Sequence, residues 1–375
     1  MDRVSYPLFD LIPEVGTRIP RAPLGDFPTP IQSLELVSRA LEVPNDAWVK
    51  RDDISSTVYG GNKVRTLELL FGEALSLGRT SVLATGAFGS NHALASALHA
   101  PRVGLTASAL LFPQPISRAA LVNLRALVDS GAALHAVPHW SALPFGMAWQ
   151  RFAHPEPYVM VPGGATPRGA LGYVSAGLEL GRQIAAHELP LPRRIIVGVG
   201  STCTSAGLLV GLALAAHFRL GFEPASLPRL ISVRVSPWPV TSRFCILRLA
   251  ARTARLVHEL AAGRVPLFDS ATLGARFAVD GGFLGPGYGV PSKAGNEAEA
   301  LWQRLGLSAL DGTYSAKVAA RLVAGLRARE AGPTLFWSTK SSVPLPTPRE
   351  SARAAPARIR AWLFRAERLL DPLER

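Results

Sequence analysis

The stretch Val49-Lys-Arg-Asp-Asp-Ile-Ser-Ser-Thr-Val-Tyr-Gly-Gly-Asn-Lys-Val-Arg-Thr-Leu67 decides how this sequence is interpreted. A predicted strand leads into a charged cluster, the pair Gly60-Gly61 allows turn or left-handed backbone geometry, and a helical pattern starts directly after Lys63. At such a junction the positive end of the helix and partial desolvation lower the pKa of a lysine, which leaves a free amine that condenses with a carbonyl. The stretch is therefore compatible with Schiff-base chemistry at Lys63. The alternative is an ordinary turn that carries a solvated surface amine.

Composition sets the class of protein. The chain has 375 residues, 48% of them hydrophobic and 18% charged, with 34 glycines and 31 prolines. This describes a globular, loop-rich chain that is long enough for one large or two medium domains. The two cysteines, Cys203 and Cys245, form neither a disulfide framework nor a metal-ligand spacing. We therefore expect a reducing compartment, the cytoplasm, and no metal site.

Two classes of partner are not expected. The N-terminal sequence has no apolar segment of the signal-peptide kind, and the longest apolar run is too short to span a bilayer, so no membrane role is predicted. The net charge of +13 would attract polyanions. However, the arginines are scattered and no base-reading module is visible, so we predict no nucleic-acid partner. An anionic small molecule is sufficient to explain a local basic site.

Strand and helix patterns alternate along most of the chain. Strands are predicted at 47–50, 81–85, 107–112, 133–137, 194–197, 230–235 and 334–338, with helical patterns between them. This alternation predicts an α/β protein with parallel sheets and crossover helices. Residues 1–45 are proline-rich, which predicts an extended arm followed by a short helix at 33–41. The glycine-rich link after Met160 is a candidate crossing between domains.

The first candidate anion site is Gly86-Ala-Phe-Gly89-Ser90-Asn91-His92, which follows a predicted strand and opens a helix of small residues. Backbone N–H groups and short polar side chains converge on an anion in such an arrangement, and a carboxylate fits. The alternative is a helix capped by Ser90 or Asn91 with no ligand, in which His92 is a satisfied polar residue.

The second candidate anion site is Gly198-Val-Gly200-Ser201-Thr202-Cys203-Thr204-Ser205-Ala206-Gly207, between a strand and an apolar helix. Successive N–H groups and three hydroxyls at a helix N-terminus form a cradle for a phosphate. The loop lacks the Gly-Lys-Ser/Thr of nucleotide-binding loops, and Cys203 stands where a dinucleotide motif needs its third glycine. A tight turn without a ligand is the alternative.

A further loop, Gly285-Pro-Gly287-Tyr288-Gly289-Val-Pro291, holds a phenol between glycines. A tyrosine held in this way is accessible to a ligand, although a surface turn with a packed ring has the same pattern.

These motifs, taken in order, resemble the pyridoxal-phosphate enzymes of the tryptophan-synthase-β fold type (fold type II), and within it the D-cysteine desulfhydrase and 1-aminocyclopropane-1-carboxylate deaminase family. The resemblance covers most of the chain up to Ser338 and rests on these segments: Pro23–Pro30, Lys50–Asp53, Tyr59–Arg65, Gly89–His92, Gly163-Gly164, Gly169–Tyr173, the loop at 200–204, Tyr288–Pro291, and Tyr314 with Lys317.

The resemblance implies two open, twisted, mostly parallel sheets with flanking helices and a cofactor, pyridoxal 5'-phosphate, in the cleft between two domains. Residues 1–55 with 170–342 would form the large domain that holds the cofactor phosphate. Residues 56–169 would form the small domain with the carboxylate loop, and 343–375 a basic C-terminal tail. A homodimer and an amino acid substrate are also implied.

The resemblance assigns roles to residues as well. Lys63 would carry the cofactor as a Schiff base and move the α-proton, Tyr288 would flank the reacting carbons, and Ser90 is the third expected catalytic residue. Asn91 would bond the phenolic oxygen of the cofactor, and Ser90, Asn91 and His92 would hold the substrate carboxylate. The phosphate would lie in the loop formed by Gly200, Ser201, Thr202, Cys203 and Thr204. Ser315 would face the pyridine nitrogen, where a neutral hydroxyl suits elimination better than transamination.

The chain departs from this family pattern in four places. The segment Leu310-Asp-Gly-Thr-Tyr314 lacks the proline that is common after the aspartate. Thr202 and Cys203 replace glycines of the phosphate loop. The segment Tyr314-Ser-Ala-Lys317 carries a small residue where ring-opening deaminases have a glutamate. Trp337-Ser-Thr-Lys-Ser341 replaces the usual His-Thr-Gly-Gly, so we expect a different pocket floor.

The predicted reaction is a β-elimination of the D-cysteine desulfhydrase kind, which releases a 2-oxo acid, ammonia and hydrogen sulfide. Three alternatives stay open: 1-aminocyclopropane-1-carboxylate deamination, another amino acid deaminase or racemase, and a catalytically degenerate protein that binds the cofactor without turnover.

Overall fold

The computed structural model describes residues 5–44, 46–345 and 355–370. Its frame consists of two sheets with helices packed around them. The strands are β1 (Ile31–Ser33), β2 (Ala47–Lys50), β3 (Ser81–Ala87), β4 (Thr106–Phe112), β5 (Ala133–Ala136), β6 (Tyr158–Val159), β7 (Arg194–Val199), β8 (Arg229–Arg234), β9 (Phe277–Asp280) and β10 (Thr334–Trp337).

The larger sheet has six strands in the order β1-β2-β10-β7-β8-β9, and the smaller sheet has four in the order β5-β4-β3-β6. All neighbours are parallel except the pair β1 and β2. The prediction of two mostly parallel sheets with flanking helices is therefore confirmed. Parallel strands need helical crossovers, which is why strands and helices alternate along the sequence.

Fourteen α-helices are described in these residues. They are α1 (Pro7–Leu11), α2 (Pro13–Arg18), α3 (Glu35–Ala40), α4 (Asn62–Ser76), α5 (Asn91–His99), α6 (Arg118–Asp129), α7 (Leu143–Ala153), α8 (Pro167–Ala185), α9 (Cys203–His217), α10 (Arg243–Leu260), α11 (Ser270–Gly274), α12 (Lys293–Arg304), α13 (Ser315–Arg327) and α14 (Ala357–Leu370). None of the helices in the described part of the chain combines the length and apolarity that crossing a bilayer requires.

Each sheet has its own apolar core. Strand β7 in the larger sheet and helices α8 and α9 pack together through buried Leu, Ile, Val and Ala side chains. Strands β3 and β4 of the smaller sheet pack against α4, α5, α6 and the C-terminal helix α14. The larger sheet draws its strands from 31–50 and 194–337, and the smaller sheet from 81–159. The domain boundaries given above stay a prediction.

The N-terminal segment is not the extended arm that its prolines predict. Residues 7–18 form the short helices α1 and α2, each with a proline at its first turn. Proline is favourable there, because the first N–H groups of a helix have no intrahelical partner and the fixed φ of proline suits a helix. Leu8 and Val15 bury this segment against the core of the larger sheet.

Candidate active site

Lys63 lies in the first turn of α4, which begins at Asn62. The sequence pattern had predicted that the helix starts directly after the lysine, so the helix begins earlier than predicted. The two preceding glycines are required by close contacts. Gly61 has a φ of +94°, and a Cβ on it would lie 2.6 Å from the carbonyl oxygen of Thr339. A Cβ on Gly60 would lie 2.2 Å from the carbonyl oxygen of Asp53. The Gly-Gly pair thus lets three segments meet where α4 starts.

The amine of Lys63 is inside the protein, since the residue is only 8% exposed. Its Nζ donates to the carbonyl oxygen of Gly163 at 3.0 Å and to Oγ of Ser201 at 3.2 Å. Burial lowers the pKa of this amine, because charging it away from water is unfavourable. The chain therefore places a buried amine with a lowered pKa beside the predicted phosphate loop, 138 positions away in sequence.

The predicted phosphate loop is a compact turn that opens α9. Thr202 takes a left-handed conformation with φ at +65°, and the helix begins at Cys203. The Cys203 thiol is buried, and its Sγ donates to the carbonyl oxygen of Gly164 at 3.4 Å. Thr204 Oγ1 accepts a hydrogen bond of 2.9 Å from the side chain of Asn62, next to Lys63. Gly200, Ser201 and Thr202 come just before the helix, whose first N–H groups have no intrahelical partners.

The predicted carboxylate loop forms the start of α5. Ser90 is the N-cap residue, and its hydroxyl accepts a hydrogen bond from the backbone N–H of Ala93. His92 is 2% exposed, and neither of its ring nitrogens has a protein partner. Burial and the nearby Lys63 lower the pKa of His92 to about 3, so the imidazole is neutral near neutral pH. The Ser90 cap was expected in the alternative without a ligand, so the carboxylate site stays a prediction, but the unpartnered ring nitrogens of His92 point to a ligand.

Asn91 has a fixed side-chain orientation. Its Oδ1 accepts two hydrogen bonds, from the Tyr59 hydroxyl at 2.9 Å and from Nδ2 of Asn123 at 2.7 Å. The Tyr59 hydroxyl accepts in turn from Nζ of Lys340 at 2.8 Å. Because the carbonyl end of the Asn91 amide is occupied twice, its NH₂ end is the one left to donate to a ligand.

Tyr288 pairs with a second tyrosine. Its hydroxyl lies 3.0 Å from that of Tyr314, and the two rings meet edge to face. Burial raises the pKa of both phenols, so both are protonated at neutral pH. Lys317 holds the Tyr288 loop, since its Nζ donates to the carbonyl oxygens of Leu284 at 2.7 Å and Gly287 at 3.0 Å.

The hydroxyl of Ser315 is engaged by its own helix cap. It donates to Oδ1 of Asp311 at 2.7 Å and accepts from the Asp311 backbone N–H at 2.6 Å. Asp311 also accepts from the backbone N–H groups of Thr313, Tyr314 and Ser315. The expected contact of Ser315 with a pyridine nitrogen stays a prediction.

The structure joins Lys63 to Ser201, and Asn62 to Thr204, by direct contacts. Three other residues take part that sequence reasoning did not single out: Tyr59, Asn123 and Lys340. Tyr59 precedes the glycine pair and Lys340 stands in a segment that departs from the family pattern. Asn123 lies inside α6 without a local signal.

The residues present fit a cofactor with an aldehyde, a phenolic oxygen and a phosphate. A buried amine is available to the aldehyde, and the directed NH₂ of Asn91 is available to the oxygen. The loop from Gly200 to Thr204 suits the phosphate, and the unpartnered His92 lies among them. Across the described residues, no group of three or more His, Cys, Asp or Glu side chains could hold a metal ion.

Comparison with protein families and sequences gives a consistent result. The family model described as pyridoxal-phosphate dependent enzyme matches residues 23–333. The D-cysteine desulfhydrase of Salmonella paratyphi B is 33% identical over 344 residues, which cover 86% of this chain and 94% of that protein. The nocardicin C-9' epimerase of Nocardia uniformis subsp. tsuyamanensis is 32% identical over 331 residues, or 86% of this chain and 93% of that one.

Solved structures show the same fold. The crystal structure of a homologue of 1-aminocyclopropane-1-carboxylate deaminase aligns with a TM-score of 0.69 and 26% identity, over 90% of this chain and 95% of that chain. Threonine deaminase isoform 2 from Solanum lycopersicum aligns with a TM-score of 0.56 over 96% of this chain and 88% of that chain. At 16% identity, this second similarity concerns the fold alone.

Proposed function

Since this chain belongs to the family of pyridoxal-phosphate-dependent enzymes, we propose that it is a lyase of the D-cysteine desulfhydrase kind. The reaction converts D-cysteine and water into pyruvate, ammonia and hydrogen sulfide. The bound cofactor supplies an aldehyde that condenses with amines and a ring that withdraws electrons from the α-carbon. The protein supplies the binding groups and the proton transfers.

The single observation that carries the proposal is the environment of the Lys63 amine. Nζ is buried, has a lowered pKa and lies 3.2 Å from the hydroxyl of Ser201 in the phosphate loop. A neutral amine both attacks a carbonyl and accepts a proton. We therefore assign to Lys63 the attachment of the cofactor and, once the substrate has displaced it, removal of the α-proton.

The carboxylate of the substrate is assigned to the start of α5. Ser90 and the first backbone N–H groups of the helix offer donors, and the helix dipole favours a negative charge there. His92 is neutral, so it contributes a single N–H and no charge. This arrangement orients the substrate without adding a second base near Lys63.

The proton for the departing sulfur is assigned to Tyr288. Its phenol is protonated, and its hydroxyl is held by that of Tyr314 at 3.0 Å. Transfer of this proton to the departing SH group releases hydrogen sulfide in place of its conjugate base, hydrogensulfide. The lysine and tyrosine together therefore account for both proton transfers of an elimination.

The test uses purified protein loaded with pyridoxal 5'-phosphate. With D-cysteine we expect pyruvate and sulfide in equal amounts, and Lys63→Ala should lose both this activity and the lysine-bound visible absorbance of the cofactor. Lys293→Ala, a change of an exposed lysine on α12, is the matched control and should retain both. Absence of pyruvate from D-cysteine, together with turnover of D-serine or 1-aminocyclopropane-1-carboxylate, would show that the sulfur assignment is wrong.

Epimerisation is the second candidate, because a relative with 32% identity is named an epimerase. An epimerase exchanges the α-hydrogen with solvent and inverts the centre without loss of the β-substituent. Incubation of D- and L-amino acids in D₂O separates the two activities. Deuterated, inverted amino acid without 2-oxo acid would favour epimerisation, and cofactor absorbance without either product would favour a degenerate binding protein.

We also propose a cytoplasmic location and a homodimer. Cys203 and Cys245 are both free thiols, which suits a reducing compartment. The dimer rests on the family resemblance alone, and light scattering after size exclusion tests it.

A further inference from the structure

Lys340 brings a positive charge into the wall of the candidate site. It follows β10, and its backbone forms an isolated antiparallel bridge with Gly61, two residues before Lys63. It belongs to the segment where the chain carries Ser-Thr-Lys-Ser in place of the family's His-Thr-Gly-Gly.

The charge is connected to Asn91 through Tyr59. Nζ of Lys340 donates to the Tyr59 hydroxyl at 2.8 Å and lies 4.8 Å from the centre of its ring. The phenol, 1% exposed, donates its own proton to Oδ1 of Asn91 at 2.9 Å. Hydrogen bonds that start from a charged donor are strong, and successive bonds in one direction polarise each other.

The consequence falls on the NH₂ group of Asn91. With Oδ1 accepting from both Tyr59 and Asn123, the amide cannot turn over without loss of two hydrogen bonds. Its N–H bonds therefore stay directed away from Tyr59, and the cation behind the phenol makes them better donors. A better donor stabilises an anionic oxygen that it contacts.

Other charged and titratable groups surround this chain of hydrogen bonds. Lys63 and His92 lie on the first turns of α4 and α5. Burial raises the pKa of the Tyr59 phenol, Lys340 opposes this shift, and Asp311, before α13, adds to it. The His99 ring bonds the carbonyl oxygen of Tyr59 at 2.8 Å. Lys340 is the one of these groups that acts on Asn91 through the Tyr59 hydroxyl.

We propose that Lys340 is a positioning residue that acts through Tyr59 to fix the Asn91 amide toward the phenolic oxygen of the cofactor and to stabilise the anionic form of that oxygen. The proposal rests on the proposed function in that the cofactor is bound at Lys63 with its phenolic oxygen at Asn91. The expected result is a cofactor imine that loses its proton at lower pH than it would without Lys340.

The experiment is a pH titration of the visible absorbance of the bound cofactor, without substrate. Lys340→Met, which keeps length and removes charge, should raise the midpoint by about one pH unit, a tenfold change in proton affinity. Lys340→Arg should stay near the wild-type midpoint. Lys293→Met removes an exposed lysine outside this chain of hydrogen bonds and should leave the midpoint unchanged.

Tyr59→Phe tests whether Lys340 acts on Asn91 through the Tyr59 hydroxyl. It should raise the midpoint as well, and Lys340→Met added to Tyr59→Phe should produce no further shift if Lys340 acts through the hydroxyl. An unchanged midpoint in Lys340→Met, or an equal shift in the Tyr59→Phe background, would overturn the proposal. A wild-type protein with no visible absorbance after loading would instead count against the proposed function. Circular dichroism of each variant identifies those that fail to fold, and Lys340→Arg keeps the comparison informative in that case.

Discussion

Thr202 has a backbone conformation that suits glycine better than a β-branched residue. Its φ of +65° lies in the left-handed region, at the residue that caps α9. We predict that Thr202→Gly raises the free energy of unfolding of the cofactor-free protein by about 1 kcal/mol, because the steric cost of the left-handed conformation is removed. Urea unfolding followed by circular dichroism measures the change.

Thr204→Gly is the matched control for that prediction. Thr204 has a regular position inside α9, and its hydroxyl accepts a hydrogen bond from Asn62. The same substitution should there lower the free energy of unfolding by about 1 kcal/mol or more. If both variants are destabilised equally, the conformation of Thr202 is not a source of strain.

Tyr288 is predicted to act on the leaving group and not on the α-proton. Tyr288→Phe should reduce kcat for D-cysteine by about 10²-fold, the lower end of what a general acid contributes. It should affect D-chloroalanine far less, because chloride leaves without a proton. Steady-state pyruvate formation with both substrates measures the two values.

Tyr314→Phe serves as the comparison, since it removes the hydroxyl 3.0 Å from that of Tyr288 and leaves the acid itself in place. Its effect on D-cysteine should be smaller than that of Tyr288→Phe. Equal losses with both substrates in Tyr288→Phe would assign the residue a role other than protonation of sulfur.

At the scale of elements, the C-terminal helix α14 supports the carboxylate loop from behind. The Trp362 ring lies edge to face against Phe88 at 5.8 Å, and its Nε1 donates to the carbonyl oxygen of Gln114 at 2.9 Å. The Gln114 side chain accepts from the backbone N–H of Gly89, next to Ser90. The helix therefore contacts, through two residues, the loop expected to bind the substrate carboxylate.

We predict that Trp362→Leu raises KM for D-cysteine by about tenfold, equivalent to about 1.4 kcal/mol, with a smaller change in kcat. The substitution removes the ring contact with Phe88 and the hydrogen bond to the carbonyl oxygen of Gln114, while Lys63 stays in place. Phe364→Leu, at a 63% exposed position of the same helix, should leave both constants unchanged. A KM that responds equally to both substitutions would show that α14 does not position the loop.

The elements that the sequence predicts well are those with a local signal. Strand β2 matches its predicted limits, since an apolar pattern marks it. Strands β1 and β9, with three and four residues, were not predicted, because such short segments show too few alternations. Their place depends on pairing with distant strands.

The residues of the candidate site also fall into two groups, those with a local sequence signal and those brought together by distant contacts. Lys63, Ser90 and the loop at 200–204 follow glycine-bearing turns at helix starts, which the sequence displays directly. Lys340 is 281 positions from Tyr59, and Asn123 is 32 from Asn91. Contacts of this kind follow from how sheets and helices pack, and no local pattern encodes them.

At the scale of the whole molecule, a buried network of charges connects α4, the helix that carries Lys63, to the larger sheet. Arg65, two residues after Lys63, donates to Asp52 at 2.8 Å and to Glu179 of α8 at 2.9 Å. Glu179 also accepts from Lys50 of β2 at 2.5 Å, and the Tyr173 hydroxyl donates to Asp52 at 2.7 Å. Because removal of one buried partner leaves another charge uncompensated, this network fixes α4 against α8 and β2.

Asp52 makes the stability of the network depend on pH. Arg65, Lys50 and the Tyr173 hydroxyl lower its pKa from 3.8 to about 2 against the opposing effect of burial. A depressed carboxyl pKa contributes stability that is fully present above 3.8 and is lost as pH falls through about 2. The pH-dependent part amounts to about 2 kcal/mol in full, and about half of it should be lost by pH 3.

Asp52→Asn tests this linkage. At pH 7 the variant should be less stable by about 3–5 kcal/mol, since Arg65 loses a buried charged partner. The difference from wild type should stay constant from pH 7 to pH 5 and then shrink by about 1 kcal/mol at pH 3, because the carboxyl takes up a proton in the unfolded wild-type protein while it stays ionised in the folded one. Urea midpoints of the cofactor-free proteins at pH 7, 5, 4 and 3 give the four values.

Asp26→Asn, the same change at an exposed aspartate, controls for the loss of a charge as such. A difference between wild type and Asp52→Asn that stays constant down to pH 3 would mean that the pKa of Asp52 is the same in the folded and the unfolded protein, so that its contacts with Arg65, Lys50 and Tyr173 do not lower it.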